Sequence, residues 1–331
     1  EMGRIRPQRA AGSRSTGCQG RSVGPSPRCG KLRAMRELLV FDGTALLFRA
    51  YYGAKQAFRS PDGVEVGAVL GMCHSVQRLL RWERPDRVAV VFDAGQRTFR
   101  NDLDERYKAH RGPAPDDLKP QFDLARAAVE HLGLPCWTQP GFEADDLMAT
   151  LARLAGETGR PTRLMSVDKD LCQLVSDGTP SVVVEDPHAG RVYDAAGVHK
   201  RLGVPPQQVV DYMALIGDSS DNVPGVRGVG PKTARALMEA FGDLDSLYRS
   251  LDQVAALDLR GASTLAAKLE AGREEAMLAR QLVTLLDDVD MGIADVDEQT
   301  RWAGPGMQDA DHFFEELGFL GPLRGLRAMA L

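Results

Sequence analysis

At 331 residues the chain suits one large α/β domain or two small ones, and its 43% hydrophobic and 26% charged content excludes wholesale disorder. No apolar run approaches the roughly 18 residues that a membrane span needs. The five cysteines are odd in number and form no CxxC pair, which argues against a disulfide framework or a zinc site and fits a reducing cytosol.

The net charge of −5 hides an asymmetry: residues 1–34 hold eight Lys/Arg against Glu1, a balance of +7, which leaves −12 on residues 35–331. An acidic body speaks against a nucleic-acid ligand, unless its acids cluster where metal ions neutralise them. Residues 1–34 are Arg, Gly, Ser and Pro with almost no aliphatic content, too little to offset the entropy of ordering, and they lack the apolar core of a signal peptide. We expect a disordered, non-native or upstream extension ahead of a natural start at Met35, with a basic nucleic-acid-binding arm as the alternative.

From residue 37 strand and helix signals alternate. Glu37 to Asp42 reads as a short buried strand, and Val66, Val69, Leu70, Cys73, Val76 and Leu80 recur at helical spacing. Arg87–Asp93 is a second strand, residues 119–132 and 143–155 are helical, Thr162–Asp168 is a third strand and Ser181–Glu185 a fourth. Nearly continuous apolar strands alternating with helices predict an α/β fold, a mostly parallel sheet with helices on both faces in three layers. After about residue 195 the pattern is helical: Pro206–Gly217, a glycine-rich turn, then a helix from Pro231 whose stripe is Ala234, Leu237, Met238 and Phe241. We therefore expect a sheet domain over 35–195 and a helical subdomain over 196–325.

Three of the four expected strands end in aspartate: Asp42, Asp93 and Asp168. Ligands of open α/β sheets bind outside the carboxyl ends of the strands. A single strand-end aspartate is usually a turn former or a cap, but three at one edge repel each other unless cations sit between them. Glu143, Asp145 and Asp146 sit at a helix start, where acids are ordinary, although Glu143 and Asp146 lie one turn apart. Asp170 follows Asp168, and Asp218 and Asp221 share a loop with little apolar content. Nine acids with no His or Cys among them point to hard cations, Mg²⁺ or Mn²⁺, in oxygen-only sites. Two such ions suit in-line phosphodiester displacement.

The ordered set Val-Phe-Asp42-Gly, Val-Val-Phe-Asp93-Ala, Gly-Phe-Glu143-Ala-Asp145-Asp146, Ser-Val-Asp168-Lys-Asp170-Leu and Gly-Asp218-Ser-Ser-Asp221-Asn-Val-Pro-Gly resembles the 5′-nuclease domain of bacterial DNA polymerase I, within the flap endonuclease superfamily. The resemblance runs from about Met35 to about Arg324. It implies that Asp42, Asp93, Glu143, Asp145 and Asp146 surround one metal, with Asp168, Asp170, Asp218 and Asp221 toward the second. It departs from the polymerase in stopping near residue 331, without a polymerase domain, which leaves a separate gene product and a fragment both open.

The charged run from Phe99 to Arg111 reads by itself as a solvated helix face. The resemblance makes it a helical arch around residues 96–118, with Lys108 and Arg111 as the catalytic basic pair, Arg49 as a further phosphate contact, and Arg100 and Tyr107 as DNA contacts. Tyr51, Tyr52 and Tyr107 are candidates for stacking on bases, although aromatics at helical spacing are more often core. Gly225, Gly228, Gly230, Lys232 and Thr233 open a helix, where glycines let a phosphate approach backbone N–H groups. The resemblance makes this a helix–three-turn–helix that grips duplex DNA, with K⁺ held in the 225–234 turn. It implies 5′–3′ exonuclease and flap endonuclease activity in replication and repair on 5′-flap, nicked or gapped DNA. A separate polymerase and ligase as partners, a monomer and a cytoplasmic, nucleoid-associated location follow from the same source. A related metal-dependent ribonuclease and a non-catalytic DNA-binding module are the competing readings.

Overall fold

The computed structural model describes residues 37–54, 56–305 and 309–330, so the basic tail over 1–34 lies outside the described residues. Leu38-Leu-Val-Phe-Asp42 is apolar on both faces of the pleat, as a strand covered on two sides must be. It forms β1 (Leu38–Asp42), buried at every position. Helices α1 (Gly43–Gly53) and α2 (Gly67–Glu83) follow, then β2 (Arg87–Phe92), which pairs parallel with β1. The segment expected as a helical arch is helical only over α3 (Phe99–Leu103); residues 104–118 make turns, because they carry no apolar stripe to hold a helix. Then come α4 (Lys119–His131), β3 (Cys136–Thr138), α5 (Ala144–Glu157) and β4 (Thr162–Met165). β5 (Val182–Asp186) and β6 (Arg191–Tyr193) form an antiparallel hairpin.

The strand order is β3-β2-β1-β4-β5-β6, parallel except for β6. From β1 the chain crosses to β2 on one side, and β4 later pairs on the other. That reversal places a crevice at the carboxyl ends of β1 and β4. β3 and β6 have three residues each, too short to show a period, and the sequence reading contained neither.

The sheet separates two cores. Leu38, Val40, Ala89, Val91 and Leu164 face α5 (Leu147, Met148, Leu151) and the helical half of the chain. Leu39, Phe41, Val88, Val90 and Phe92 face α1, α2 and α4. The helical half comprises α6 (Ala195–Leu202), α7 (Val209–Ile216), α8 (Pro231–Phe241), α9 (Leu244–Arg249), α10 (Ala262–Ala271) and α11 (Arg273–Val283). The short α12 (Val296–Gln299) precedes α13 (Asp309–Glu316) and α14 (Gly321–Ala330).

A helical subdomain over 196–325 is corrected at its end. Phe314, Leu317, Phe319, Leu323 and Leu326 join the core of α1, α2 and α4 on the opposite side of the sheet, where their apolar area is buried. The Trp302 amide donates to the Asp86 carbonyl, so the chain is back at the sheet's edge by that residue.

Candidate metal centre

The acids meet at one edge because the strands end there. Asp42 is the last residue of β1 and caps α1, its Oδ1 accepting from the Ala45 amide at 2.8 Å. Asp93 follows β2; its amide donates to Thr44 Oγ1 at 2.9 Å, and its Oδ1 accepts from the Ala144 amide at 2.8 Å, which pins the start of α5 to this edge. Past β4, Ser166 Oγ accepts from the Asp168 amide at 3.2 Å, and Asp168 Oδ1 accepts from the Asp170 amide at 2.9 Å. The loop after α7 delivers Asp218 and Asp221, and carboxylate oxygens of Asp170, Asp218 and Asp221 lie within 4.8 Å of one another.

Packing these carboxylates together perturbs them. Burial, then Asp93 and Asp168, pushes the Asp42 carboxyl up to about 7. Burial and Asp168 push Asp170 up to about 8, with Asp218 and Asp221 adding to the effect. Burial, Asp168 and Asp42 raise Asp145 well above the carboxylate range. The acids thus form two overlapping groups, Asp42, Asp93 and Asp145 on one side and Asp170, Asp218 and Asp221 on the other, with Asp168 acting on both. One oxygen each of Asp145 and Asp170 is buried with no hydrogen-bond partner. Oxygen-only donors, mutual repulsion and orphaned lone pairs are what a hard divalent cation relieves, so the residues fit such an ion.

Cations face the acids from two sides. Lys108, at φ +54°, places Nζ 2.9 Å from Glu143 Oε1 and 3.4 Å from Asp221 Oδ2. Burial lowers its pKa, but Glu143 and Asp221 outweigh that and hold it up. Arg111 Nη2 is 2.5 Å from Asp221 Oδ1. Lys169, to which the sequence reading gave no role although it stands between Asp168 and Asp170, donates to Asp218 Oδ2 at 2.6 Å. Burial raises the Asp218 carboxyl, and Lys169 with Ser220 more than reverses that, leaving it below the usual range. A groove of about 920 Å³ beneath the 96–118 segment is lined by Phe48, Tyr52, Asp93, Lys108, Arg111 and Arg126 among others. Tyr52 is 70% exposed in it and stacks on Phe48 with ring centroids 6.3 Å apart.

Three expected roles are corrected. Arg100 is 1% exposed and cannot touch DNA; its guanidinium makes a two-point pair with Asp146 at 2.7 and 2.8 Å. Asp146 is 0% exposed and also accepts from the Leu286 and Glu143 amides, so its lone pairs are used and none is left for a metal. Tyr107 is 4% exposed with its hydroxyl donating toward Glu143 and Asp221, so its ring supports the site and stacks on no base. Gly225 is half-buried, and a Cβ there would fall 2.4 Å from the Ile216 carbonyl carbon, so the glycine closes the 217–225 loop on itself.

Gly228, at φ +84°, and Gly230 are exposed at the start of α8, beside exposed Lys232 and half-buried Thr233. Lys268 of α10, forty residues on with no signal in the sequence, brings Nζ to 3.8 Å from where a Cβ of Gly228 would stand. Arg49 is exposed on α1 and has no ion pair among the described residues; its electrostatic neighbours are Asp186 and His188 in the β5–β6 hairpin.

An acidic, oxygen-only edge at the switch point of a mostly parallel sheet, with lysine and arginine paired to its rim beside a groove, equips a metal-dependent enzyme for an anionic substrate. The chain matches the 5′-3′ exonuclease N-terminal resolvase-like domain over residues 37–203 and the 5′-3′ exonuclease C-terminal SAM fold over residues 204–305. It therefore belongs to the 5′-3′ exonuclease family of metal-dependent nucleases. It is 34% identical to a 5′-3′ exonuclease of Aquifex aeolicus, covering 80% of this chain and 86% of that one. It is 42% identical to DNA polymerase I of Pseudomonas aeruginosa over 77% of this chain, and spans only 28% of that protein. The fold is shared with T5 5′-exonuclease in a structure with bound zinc, at a TM-score of 0.62 and 24% identity, covering 85% of this chain and all of that one. No helix among the described residues is long and apolar enough to cross a membrane.

Proposed function

We propose that the protein hydrolyses DNA phosphodiester bonds at or near a 5′ end, with a 5′-flap, nick or gap as the recognised structure, in replication and repair. The observation that carries this reading is the pair of overlapping acid groups with orphaned oxygens on Asp145 and Asp170, with Lys108 and Arg111 paired to Glu143 and Asp221 beside them. Asp42, Asp93, Asp145 and Asp168 would hold one Mg²⁺, and Asp170, Asp218 and Asp221 a second, with Mn²⁺ as substitute. Bound there, the two ions supply an activated water and neutralise charge on the leaving oxygen. Glu143, engaged by Lys108, serves from outside the first group.

Lys108 and Arg111 meet the scissile phosphate and stabilise the charge that develops on it. To do so they exchange Glu143 and Asp221 for phosphate oxygens. Arg49 takes a phosphate farther along the strand. Gly228, Gly230, Lys232 and Thr233, joined by Lys268, hold duplex backbone without reading sequence, and carbonyl oxygens of the 225–234 turn take a K⁺. Residues 35–195 with the Asp218–Asp221 loop carry the chemistry, and the rest of the helical half carries the duplex. The enzyme acts as a monomer in the cytoplasm at the nucleoid, with a separate polymerase and a ligase as partners.

The test is cleavage of 5′-flap, nicked duplex, 3′-flap and single-stranded DNA of one sequence, with an RNA 5′-strand as a further arm, in Mg²⁺ and in chelator. Cutting near the junction of the 5′-flap, dependent on Mg²⁺, is expected. Equal rates on 5′- and 3′-flaps, or a preference for the isolated strand or for RNA, overturn the reading.

A further inference from the structure

The backbone from Leu282 to Val289, which leaves the end of α11, is tied by side chains that rise from beside every group of acids. Arg100 Nε donates to the Leu282 carbonyl at 2.8 Å and Nη2 to the Thr284 carbonyl at 3.1 Å, while both Nη atoms hold Asp146. Asp146 Oδ1 accepts from the Leu286 amide at 3.0 Å. Gln173, three residues after Asp170, brackets the same segment: its Nε2 donates to the Val283 carbonyl at 3.0 Å and its Oε1 accepts from the Leu285 amide at 3.0 Å. Thr150 Oγ1 accepts from the Val289 amide at 3.2 Å, and Arg153 Nε donates to the Asp287 carbonyl at 2.6 Å, so the segment is fastened along α5.

The guanidinium is buried, and its donors go to two carbonyls at the negative end of α11 and to one carboxylate. A lysine keeps the charge but cannot make that fork. Asp146 in turn accepts from the Glu143 amide at 3.1 Å, which sets the first turn of α5 where Glu143 and Asp145 stand. Gln173 does the same for the turn that carries Asp170. α11 also carries Arg280, which reaches Asp211 of α7 at 3.0 Å, and α7 leads directly into the loop of Asp218 and Asp221. One short backbone segment is thus bonded to Asp146, the neighbour of Asp145, and to Gln173, three residues past Asp170, and is continuous with the helical half.

We propose that residues 282–289 form a strap that transmits docking on the helical half to the spacing of the two acid groups, and that Arg100 and Gln173 are its positioning residues. Neither touches substrate; each acts through the acids it helps to place. The inference rests on the reading of the helical half as the duplex holder.

The experiment is Mn²⁺ titration by calorimetry of the full chain, with and without a blunt duplex, for the native protein, Arg100→Lys and Gln173→Ala. Duplex affinity is measured separately in chelator, and melting temperature is recorded throughout. Removing the neighbours that orient a ligand typically weakens metal binding about tenfold, and that is expected of Arg100→Lys, with duplex affinity unchanged. In the native protein duplex should tighten Mn²⁺ binding by about fivefold or more, and both variants should lose most of that gain. Gln173→Ala leaves no buried charge unpaired and keeps the test decisive if Arg100→Lys does not fold. A lowered melting temperature with native Mn²⁺ affinity and native gain overturns the proposal and reduces the strap to scaffolding. Failure of the native protein to bind duplex strikes the duplex reading alone, and the Mn²⁺ titrations without DNA still decide whether Arg100 and Gln173 position the acids.

Discussion

Asp42→Asn separates what the site costs from what it does. The Asp42 carboxyl is raised from 3.8 to about 7 by burial, then by Asp93 and Asp168. Between those two values the folded protein holds a proton that the unfolded chain has released, so metal-free stability falls as pH rises through this window and the loss is complete above about 7. At 1.36 kcal/mol per unit, the full penalty at pH 8 is about 4 kcal/mol, and at pH 5 about 2 kcal/mol. Asparagine keeps the cap, since its carbonyl oxygen accepts from the Ala45 amide as Asp42 Oδ1 does, and its NH₂ group donates to the facing carboxylates. We expect the variant to gain about 2–4 kcal/mol in chelator at pH 8, a rise in Tm of roughly 3–6 °C, and much less at pH 5. Its Mg²⁺-dependent cutting should fall by about a hundredfold or more. Thermal unfolding in chelator at the two pH values, with cleavage run in parallel, is the assay. Destabilisation at pH 8, or a gain of equal size at both pH values, would refute the argument from crowded carboxylates.

Lys108→Ala and Arg111→Ala should each slow single-turnover cleavage by about a hundredfold while leaving duplex affinity near native; a pure loss of affinity would place both on the outer surface of the groove. Lys232→Ala should weaken binding to all DNA sequences alike and shallow its salt dependence by about one unit of slope, which titrations across salt concentrations check. Gly225→Ala should cost about 2–4 kcal/mol because its Cβ meets backbone at 2.4 Å, whereas Gly230→Ala, at φ −100° with nothing within 4 Å, should leave urea unfolding nearly unchanged.

The parts legible in the sequence were those where one residue's neighbours along the chain decide its fate. β1 and β2 are unbroken apolar runs, and an aspartate at the end of such a run stays at the edge wherever the strand goes. The short strands β3 and β6 are recruited by pairing with β2 and β5, a long-range effect with no local pattern. Arg100 misled for the same reason: within a charged run it reads as solvated, yet a carboxylate forty-six residues away and two backbone carbonyls far downstream supply its burial. Backbone acceptors have no residue signature, so the 282–289 segment carried no sign of its role. Asp146 sat in a motif with true edge acids, and only its side-chain direction separates it from Asp145.

The return of the chain's last helices to α1, α2 and α4 bears on how the protein is made. The helices α2 and α4 that cover one face of the sheet are themselves covered by α13 and α14, whose Phe314, Phe319, Leu323 and Leu326 leave the ribosome almost three hundred residues after β1. Until they arrive, Met72, Val76 and Val129 lack part of their cover, and contacts of such sequence separation form late. The opposite core, between the sheet and α5 through α11, has all its members earlier. The two sides of the sheet are therefore completed in order during synthesis, the acid-bearing side first. A chain cut at residue 305, where the family match ends, would carry the whole metal centre but leave the apolar outer surface of α2 and α4 open to other chains.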